Sequence, residues 1–131
     1  MCDHTDNASA TTVRNVSGKA LQGEIWLADL GKKTGCIEYG IRPVLIIQNN
    51  IGNHFSSTTI VAPVTTRLKK QLPVHFDLST ECGLRFNSIV LMEQITTINQ
   101  AQLIARTGNI DKESYSVVRS SITESFKGIF E

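Results

Sequence analysis

The sequence has few residues that could tie a fold together through disulfides or a metal. Its three cysteines are Cys2, Cys36 and Cys82, and its three histidines are His4, His54 and His75. An odd and widely spaced cysteine set forms neither a disulfide framework nor a CxxC metal motif, and no histidine stands beside a cysteine pair. We therefore expect reduced thiols, no zinc site, and a fold held by the core that 131 residues with 40% hydrophobic content can build.

An excess of one charge and long apolar segments are also missing. The formal net charge is +1, so contact with nucleic acid requires a local basic cluster rather than a general positive field. The longest uninterrupted apolar runs, such as residues 44–47, have four residues, whereas a membrane span needs about 20. Residues 1–21 lack the apolar stretch of a signal peptide. They are predicted to form a flexible tail ahead of one domain at residues 22–131, in a cytoplasmic protein without a membrane segment.

Standard catalytic motifs do not occur either. The sequence contains no GxSxG, no P-loop and no HExxH. The carboxylates Glu24, Asp29, Glu81 and Glu93 show no recognisable metal-binding spacing, which argues against a two-metal nuclease. No metal and no cofactor is therefore predicted.

The hydrophobic pattern that is present predicts short strands followed by one helix. The predicted strands are residues 24–30, 44–48, 58–64, 74–78, 88–94 and about 103–106, with a turn at residues 49–53. Pro63 cannot donate to a ladder and is expected at an edge or a bulge. Apolar residues then repeat every three or four positions, which predicts a helix over about residues 112–130 with Asp111 as its N-cap. This order predicts a mainly β (α+β) fold, a small antiparallel barrel closed by the C-terminal helix.

Polar residues at predicted strand ends are the candidates for chemistry. Arg42 precedes an aliphatic strand, where its guanidinium could donate two parallel hydrogen bonds to a phosphate. From spacing alone, however, a surface ion pair with Glu38 or Asp29 is the favoured interpretation. Thr65 and Thr66 end the next strand, although threonine is common in strands. Two basic loops, residues 32–33 and 67–70, could join Arg42 in one positive groove, while each alone is typical of a solvated surface.

Several segments, in order along the chain, resemble the MazF/PemK toxin family. They are residues 23–30 (GEIWLADL), 40–50 (GIRPVLIIQNN), 59–65 (TIVAPVT), 72–75 (LPVH) and 88–95 (SIVLMEQI). The resemblance implies an SH3-like barrel, a homodimer and metal-independent, sequence-selective cleavage of single-stranded RNA. It also implies 2',3'-cyclic phosphate and 5'-hydroxyl ends, and a cognate antitoxin protein whose disordered tail blocks the active site. The nucleophile is then the ribose 2'-hydroxyl, so DNA should not be cleaved.

The resemblance also implies the site residues. The family's catalytic arginine and threonine fall on Arg42 and Thr65. A guanidinium stays protonated, so Arg42 is assigned mainly to stabilising the charge of a phosphorane, and Thr65 to hydrogen-bonding the phosphate or the 2'-hydroxyl. The residues predicted to bind RNA are Glu38, Tyr39, Gln48, Asn50, Arg67, Lys69 and Lys70, and Glu24 is a candidate for orienting Arg42.

Two departures from the family pattern leave specificity and activity open. The loop reads GCIEYGIRP where the family often has GxEQGGxRP, and Thr96 stands where an arginine often follows the EQI segment. Two alternatives therefore remain: a non-enzymatic toxin of the same fold that acts on a protein such as DNA gyrase, and an inactive homologue that binds only an antitoxin.

Overall fold

The computed structural model describes residues 19–66, 75–78, 84 and 87–128, and in this part the chain forms seven strands and two α-helices. The strands are β1 (Glu24–Asp29), β2 (Ile41–Ile46), β3 (Thr58–Thr65), β4 (His75–Leu78), β5 (Ser88–Leu91), β6 (Thr96–Asn99) and β7 (Leu103–Asn109). The helices are α1 (Asn50–Phe55) and α2 (Tyr115–Ser125), and 3-10 turns occupy Met92–Gln94, Gln100–Gln102 and Lys112–Ser114.

The strands form one antiparallel sheet that curls around its central strand. The order is β4-β5-β3-β2-β1-β7, and β6 pairs with the other part of β3. β3 pairs with β6 from Thr58 to Val61 and with β5 at Val64 and Thr65. Because β3 changes partner along its length, the sheet closes into a partial barrel. The predicted fold class, a mainly β small antiparallel barrel with a C-terminal helix, is confirmed.

Pro63 lies at the point where β3 changes partner. The pairs with β6 end at Val61 and those with β5 begin at Val64, so Pro63 falls in the gap between the two ladders. On its other side it stands opposite Val44 of β2. The proline is therefore on a central strand, and its missing N–H is tolerated because the ladder is already interrupted there.

The barrel has a hydrophobic cluster on each face of the sheet. The first contains Ile25, Leu45, Ala62, Val64, Leu78, Val90, Met92 and Ile110, with Tyr115, Val118 and Ile122 packed against it from α2 and its start. The second contains Ala20, Ala28, Val44, Ile46, Val61 and Ile98. Neighbours on β2 fall in different clusters, because successive side chains point to opposite faces. The aliphatic part of β2, Val44 to Ile46, is therefore buried on both faces.

Several elements differ from the sequence-based prediction; β2, for example, spans Ile41–Ile46 and not residues 44–48. The strand predicted over residues 88–94 ends at Leu91 and turns into the 3-10 segment Met92–Gln94. The four-residue strand β6 was missed because a short polar segment gives no alternation and depends on its partner β3. The predicted turn at residues 49–53 is in fact the start of α1, where the Asn49 side chain caps the helix by accepting a hydrogen bond from the Gly52 N–H.

The C-terminal helix is shorter than predicted. Asp111 is the N-cap, as expected, but it caps the 3-10 turn Lys112–Ser114, and the α-helix runs from Tyr115 to Ser125. The helix ends at its C-cap Phe126, and Gly128 follows two residues later with a φ of +97°, a value that favours glycine. The remaining residues of the predicted helix, 129–131, lie outside the described residues.

Residues 19–21, which the sequence analysis placed in the tail, pack against the barrel. Ala20 is fully buried in the second cluster. The Lys19 ammonium donates to the Ser56 carbonyl oxygen over 3.1 Å, and the Leu21 N–H donates to a Glu24 carboxylate oxygen over 2.8 Å. Residues 1–18 lie outside the described part of the chain. No helix among the described residues is long and apolar enough to cross a membrane.

Candidate active site at the rim of the barrel

Arg42 and Thr65 lie on neighbouring strands at the same rim of the barrel. β2 and β3 pair through Val44↔Pro63, Leu45↔Ala62 and Ile46↔Val61. In this antiparallel register, the position opposite Arg42 is Thr65, two residues beyond the last pair.

The two side chains also share a face of the sheet. Arg42 precedes Val44 by two residues and Thr65 follows Val61 by four, and both valines belong to the second cluster. Because strand side chains alternate, Arg42 and Thr65 are directed to that same face. The Arg42 side chain is 28% exposed, whereas Thr65 is 1% exposed.

The loop between β1 and β2 holds Arg42 from one side. The Arg42 Nε donates to the Tyr39 carbonyl oxygen over 3.1 Å. The same atom lies 3.5 Å from a carboxylate oxygen of Glu38, whose side chain is 0% exposed. The Tyr39 ring lies under the guanidinium, with 5.7 Å between the ring centroid and Cζ. Both polar contacts use Nε, and within the described residues no hydrogen bond of the Nη atoms is found. The guanidinium is therefore anchored while its outer edge can bind an anion.

The ion pair between Arg42 and Glu38 corrects two sequence-based ideas. It is the pair that spacing alone suggested, but its carboxylate is buried, while the Arg42 side chain is 28% exposed. Glu24, the other candidate for orienting Arg42, is bound elsewhere: its carboxylate accepts from the Trp26 indole and pairs with Arg106 of β7 over 2.9 Å. Glu24 therefore ties β1 to β7 and does not orient Arg42.

The β1–β2 loop is itself closed by backbone bonds. The Leu30 N–H donates to the Gly40 carbonyl and the Gly40 N–H donates to the Gly31 carbonyl, each over 2.8 Å. Gly31 and Gly40 have φ values of +86° and +72°, a region that side chains rarely allow. These two glycines let the chain reverse at the base of the loop, which places Glu38 and Tyr39 under Arg42.

Gln94, which the sequence analysis did not single out, binds this loop from the far side. Its side-chain oxygen accepts from the Glu38 N–H over 2.9 Å, and its side-chain nitrogen donates to the Cys36 carbonyl over 3.2 Å. The residue lies in the EQI segment that was predicted as a strand. Nothing in the sequence indicated that its side chain would face a loop 56 residues earlier.

Gln48 and Asn50, predicted to bind RNA, are not brought to this rim. They lie beyond the opposite end of β2, about 20 Å from Arg42 along an extended chain. The Gln48 amide donates to the Asn53 side chain and to the Thr58 carbonyl, and the Asn50 side chain accepts from the Gln22 N–H. Both residues fix α1 and the segment before β1, which is a structural role.

The predicted RNA-binding residues of the two loops fall into three groups. Glu38 is buried, so direct contact with RNA would require the loop to move. Tyr39 is half-buried beside Arg42, and its ring also faces the Lys33 ammonium at 5.7 Å. Arg67, Lys69 and Lys70 lie outside the described residues. Within the described ranges, no group of three or more His, Cys, Asp or Glu side chains could hold a metal ion.

Comparison with known proteins identifies the family. Residues 21–126 match the family described as "PemK-like, MazF-like toxin of type II toxin-antitoxin system". The chain belongs to the PemK/MazF toxin family. The family predicted from the sequence motifs is thereby confirmed, and with it the prediction of a toxin from a type II toxin–antitoxin system.

Relatives of this toxin are named endoribonucleases. Endoribonuclease EndoA of Bacillus subtilis is 38% identical over 103 residues, which cover 77% of this chain and 89% of EndoA. Endoribonuclease MazF of Staphylococcus saprophyticus is 36% identical over 103 residues, which cover 77% of this chain and 86% of the relative. These names agree with the predicted enzyme class and do not favour the non-enzymatic alternative.

Solved structures share the fold of this toxin. Mycobacterium tuberculosis toxin MazF-mt6 has a TM-score of 0.69 at 24% identity, with 79% of this chain and 95% of that chain covered. An endoribonuclease from a mycobacterial species, solved in complex with its cognate antitoxin, has a TM-score of 0.70 at 20% identity, with 82% and 94% covered. At these identities the likeness concerns the fold.

Proposed function

We propose that this toxin cleaves single-stranded RNA at the rim formed by the ends of β2 and β3, with Arg42 as the central catalytic residue. The observation that carries the proposal is the anchoring of Arg42: two contacts hold Nε from below, and the outer edge of the guanidinium can bind a phosphate. Planar, bidentate recognition of a phosphate is the typical use of such an arginine.

The proposed reaction needs no nucleophile from the protein. The ribose 2'-hydroxyl attacks the neighbouring phosphorus and gives up its proton to water, and the bond to the 5'-oxygen breaks. The leaving 5'-oxygen takes up a proton from water, so the products are a 2',3'-cyclic phosphate and a 5'-hydroxyl. The enzyme must then align the hydroxyl with the leaving oxygen and stabilise the extra charge of the phosphorane. Arg42 is suited to the second task because a fixed positive charge requires no reorganisation during the reaction.

Thr65 is proposed to hydrogen-bond the phosphate or the 2'-hydroxyl. Its support is the register, which places it opposite Arg42 on the same face of the sheet. Thr65 is 1% exposed, so its hydroxyl reaches a phosphate only if neighbouring groups move when RNA binds. A Thr65→Val variant keeps the shape of the side chain and removes the hydroxyl, and it should therefore lower the cleavage rate without unfolding the protein.

The remaining parts of the proposal concern partners. We propose that the toxin acts as a homodimer in the cytoplasm, on single-stranded RNA, and is held inactive by a cognate antitoxin protein. The antitoxin bound to a mycobacterial relative of the same fold supports the last point. Tyr39, Arg67, Lys69 and Lys70 are proposed to contact RNA, with Tyr39 offering a ring face beside Arg42 on which a base can stack.

The products of cleavage test this function. Purified protein is incubated with a single-stranded RNA in EDTA, and with a DNA of the same sequence. The expected result is cut RNA with 5'-hydroxyl and 2',3'-cyclic phosphate ends, intact DNA, and no cleavage where the mapped cut site carries a 2'-deoxyribose. Cleavage at the 2'-deoxy position, or a requirement for a divalent cation, would contradict the proposed chemistry. Intact RNA together with inhibited DNA gyrase would favour the alternative toxin.

A further inference from the structure

The Gln94 side chain links two backbone positions of the loop that holds Arg42, and we call this pair of hydrogen bonds the bracket. One side-chain amide uses both of its ends on the backbone: its oxygen accepts from the Glu38 N–H, and its nitrogen donates to the Cys36 carbonyl. A neighbouring strand would offer the same combination of one acceptor and one donor to the backbone of an edge strand. Residues 31–37 at the tip of the loop are exposed and are joined to each other by the bridge between Thr34 and Ile37, so contacts from outside the tip help to fix it.

The bracket ends on the residues that anchor the guanidinium. The Glu38 N–H bound by Gln94 belongs to the residue whose carboxylate lies 3.5 Å from the Arg42 Nε. The next residue, Tyr39, supplies the carbonyl that accepts from the same Nε. A shift of the Glu38 backbone therefore moves both anchors of Arg42 together.

From these contacts we infer that Gln94 is a positioning residue, which sets the orientation of Arg42 through residues 36–38. This inference rests on the proposed function, because a positioned guanidinium matters only if it meets a substrate. A neutral amide is required for the role, since one end must accept and the other must donate. Methionine has a similar length, but its thioether cannot donate a hydrogen bond and accepts one only weakly. Gln94→Met therefore removes the bracket while filling the same space.

Gln100 offers a matched control. It also lies in a 3-10 turn, and its side-chain nitrogen donates to the Asn53 and Ser56 carbonyls over 2.8 and 2.9 Å. These bonds fix α1, at the opposite end of β2 from Arg42. Gln100→Met therefore breaks more side-chain-to-backbone hydrogen bonds than Gln94→Met, four against two, with the same chemical exchange, but leaves the loop in place.

Two measurements on the full chain test the inference, and the first does not depend on activity. Amide hydrogen exchange by NMR should show faster exchange of the Glu38 N–H in Gln94→Met, and a broadened or shifted Arg42 Nε–H resonance. In Gln100→Met both signals should remain as in wild type. If the Glu38 N–H and the Arg42 Nε–H are unchanged in Gln94→Met, the bracket does not position Arg42 and the inference is wrong.

The second measurement separates kcat from KM with an RNA oligonucleotide. Gln94→Met should lower kcat by roughly 10- to 100-fold with KM little changed, because small misplacements of a catalytic group cost rate rather than binding. Gln100→Met should keep the wild-type kcat. A raised KM with an unchanged kcat would overturn the inference, since Gln94 would then act by touching RNA. If wild type cuts no RNA, the proposed function fails, while the exchange result still decides whether Gln94 orients Arg42.

Discussion

Glu38 and Arg42 should contribute to stability as a pair, and a double-mutant cycle can measure that contribution. At 3.5 Å, two unit charges attract by about 5 kcal/mol if the effective dielectric constant is about 20. The Arg42 side chain is 28% exposed, so water screens part of this energy, and pairs on an open surface are worth only about 0.2–1 kcal/mol. Between these limits we expect a coupling of about 1–3 kcal/mol.

The cycle uses Glu38→Gln, Arg42→Ala and the double variant, each unfolded in urea at one fixed protein concentration. A fixed concentration is needed because association would make the apparent stability depend on it. Arg42→Ala should lower the free energy of unfolding by less in the Glu38→Gln background than in wild type. In that background residue 38 carries no charge, so removing Arg42 takes no cation away from a buried carboxylate. A coupling below about 0.5 kcal/mol, the usual scatter for independent sites, would refute the anchoring role given to Glu38.

The pair of Glu24 and Arg106 gives a comparison within the same protein. Its atoms are closer, at 2.9 Å, but the Arg106 side chain is 50% exposed. If burial decides the energy, the Glu24–Arg106 cycle should give the smaller coupling despite the shorter distance. A larger coupling there would show that distance outweighs burial in this protein.

Three further substitutions test the fold and the assignment of roles. Leu45→Ala, in the first cluster, should lower the free energy of unfolding by about 2–5 kcal/mol in urea denaturation. Gly40→Ala, at a φ of +72°, should cost about 1–2 kcal/mol and also slow RNA cleavage, because the loop under Arg42 changes shape; unchanged stability would contradict the strain. Gln48→Ala should destabilise by about 1–2 kcal/mol, because it removes the side-chain hydrogen bonds to Asn53 and to the Thr58 carbonyl, while sequencing of the 5'-hydroxyl ends shows the same cut sites as wild type. Altered cut sites would restore a role in RNA binding to Gln48.

The central strands could be predicted from the sequence because their signals are local. The aliphatic run of β2 and the alternation in β1 need no knowledge of partners. The pairing of β2 with β3 could not be derived in the same way, since register depends on which residues meet across the sheet. That register is what places Thr65 opposite Arg42, and the sequence supplied the pair only through the resemblance to a family.

The contacts at the site that the sequence did not indicate have a common physical cause. A polar side chain at a strand end looks the same in the sequence whether it binds RNA or closes a local hydrogen-bond network. The sequence therefore predicts Gln48 and Asn50 to bind RNA, and it gives no sign that their side chains also bind α1 and Gln22. The partner of Glu24 and the role of Gln94 depend on contacts between distant segments, so no local pattern could have indicated them.

The rate of RNA cleavage by two arginine variants tests the central claim most directly. Arg42→Ala removes the proposed catalytic guanidinium, and Arg106→Ala removes a guanidinium of equal charge on β7, paired with Glu24. On one RNA oligonucleotide with a mapped cut site, Arg42→Ala should reduce kcat by roughly 100- to 1,000-fold, and Arg106→Ala should leave it nearly unchanged. Equal rates for wild type and a folded Arg42→Ala variant would contradict the account.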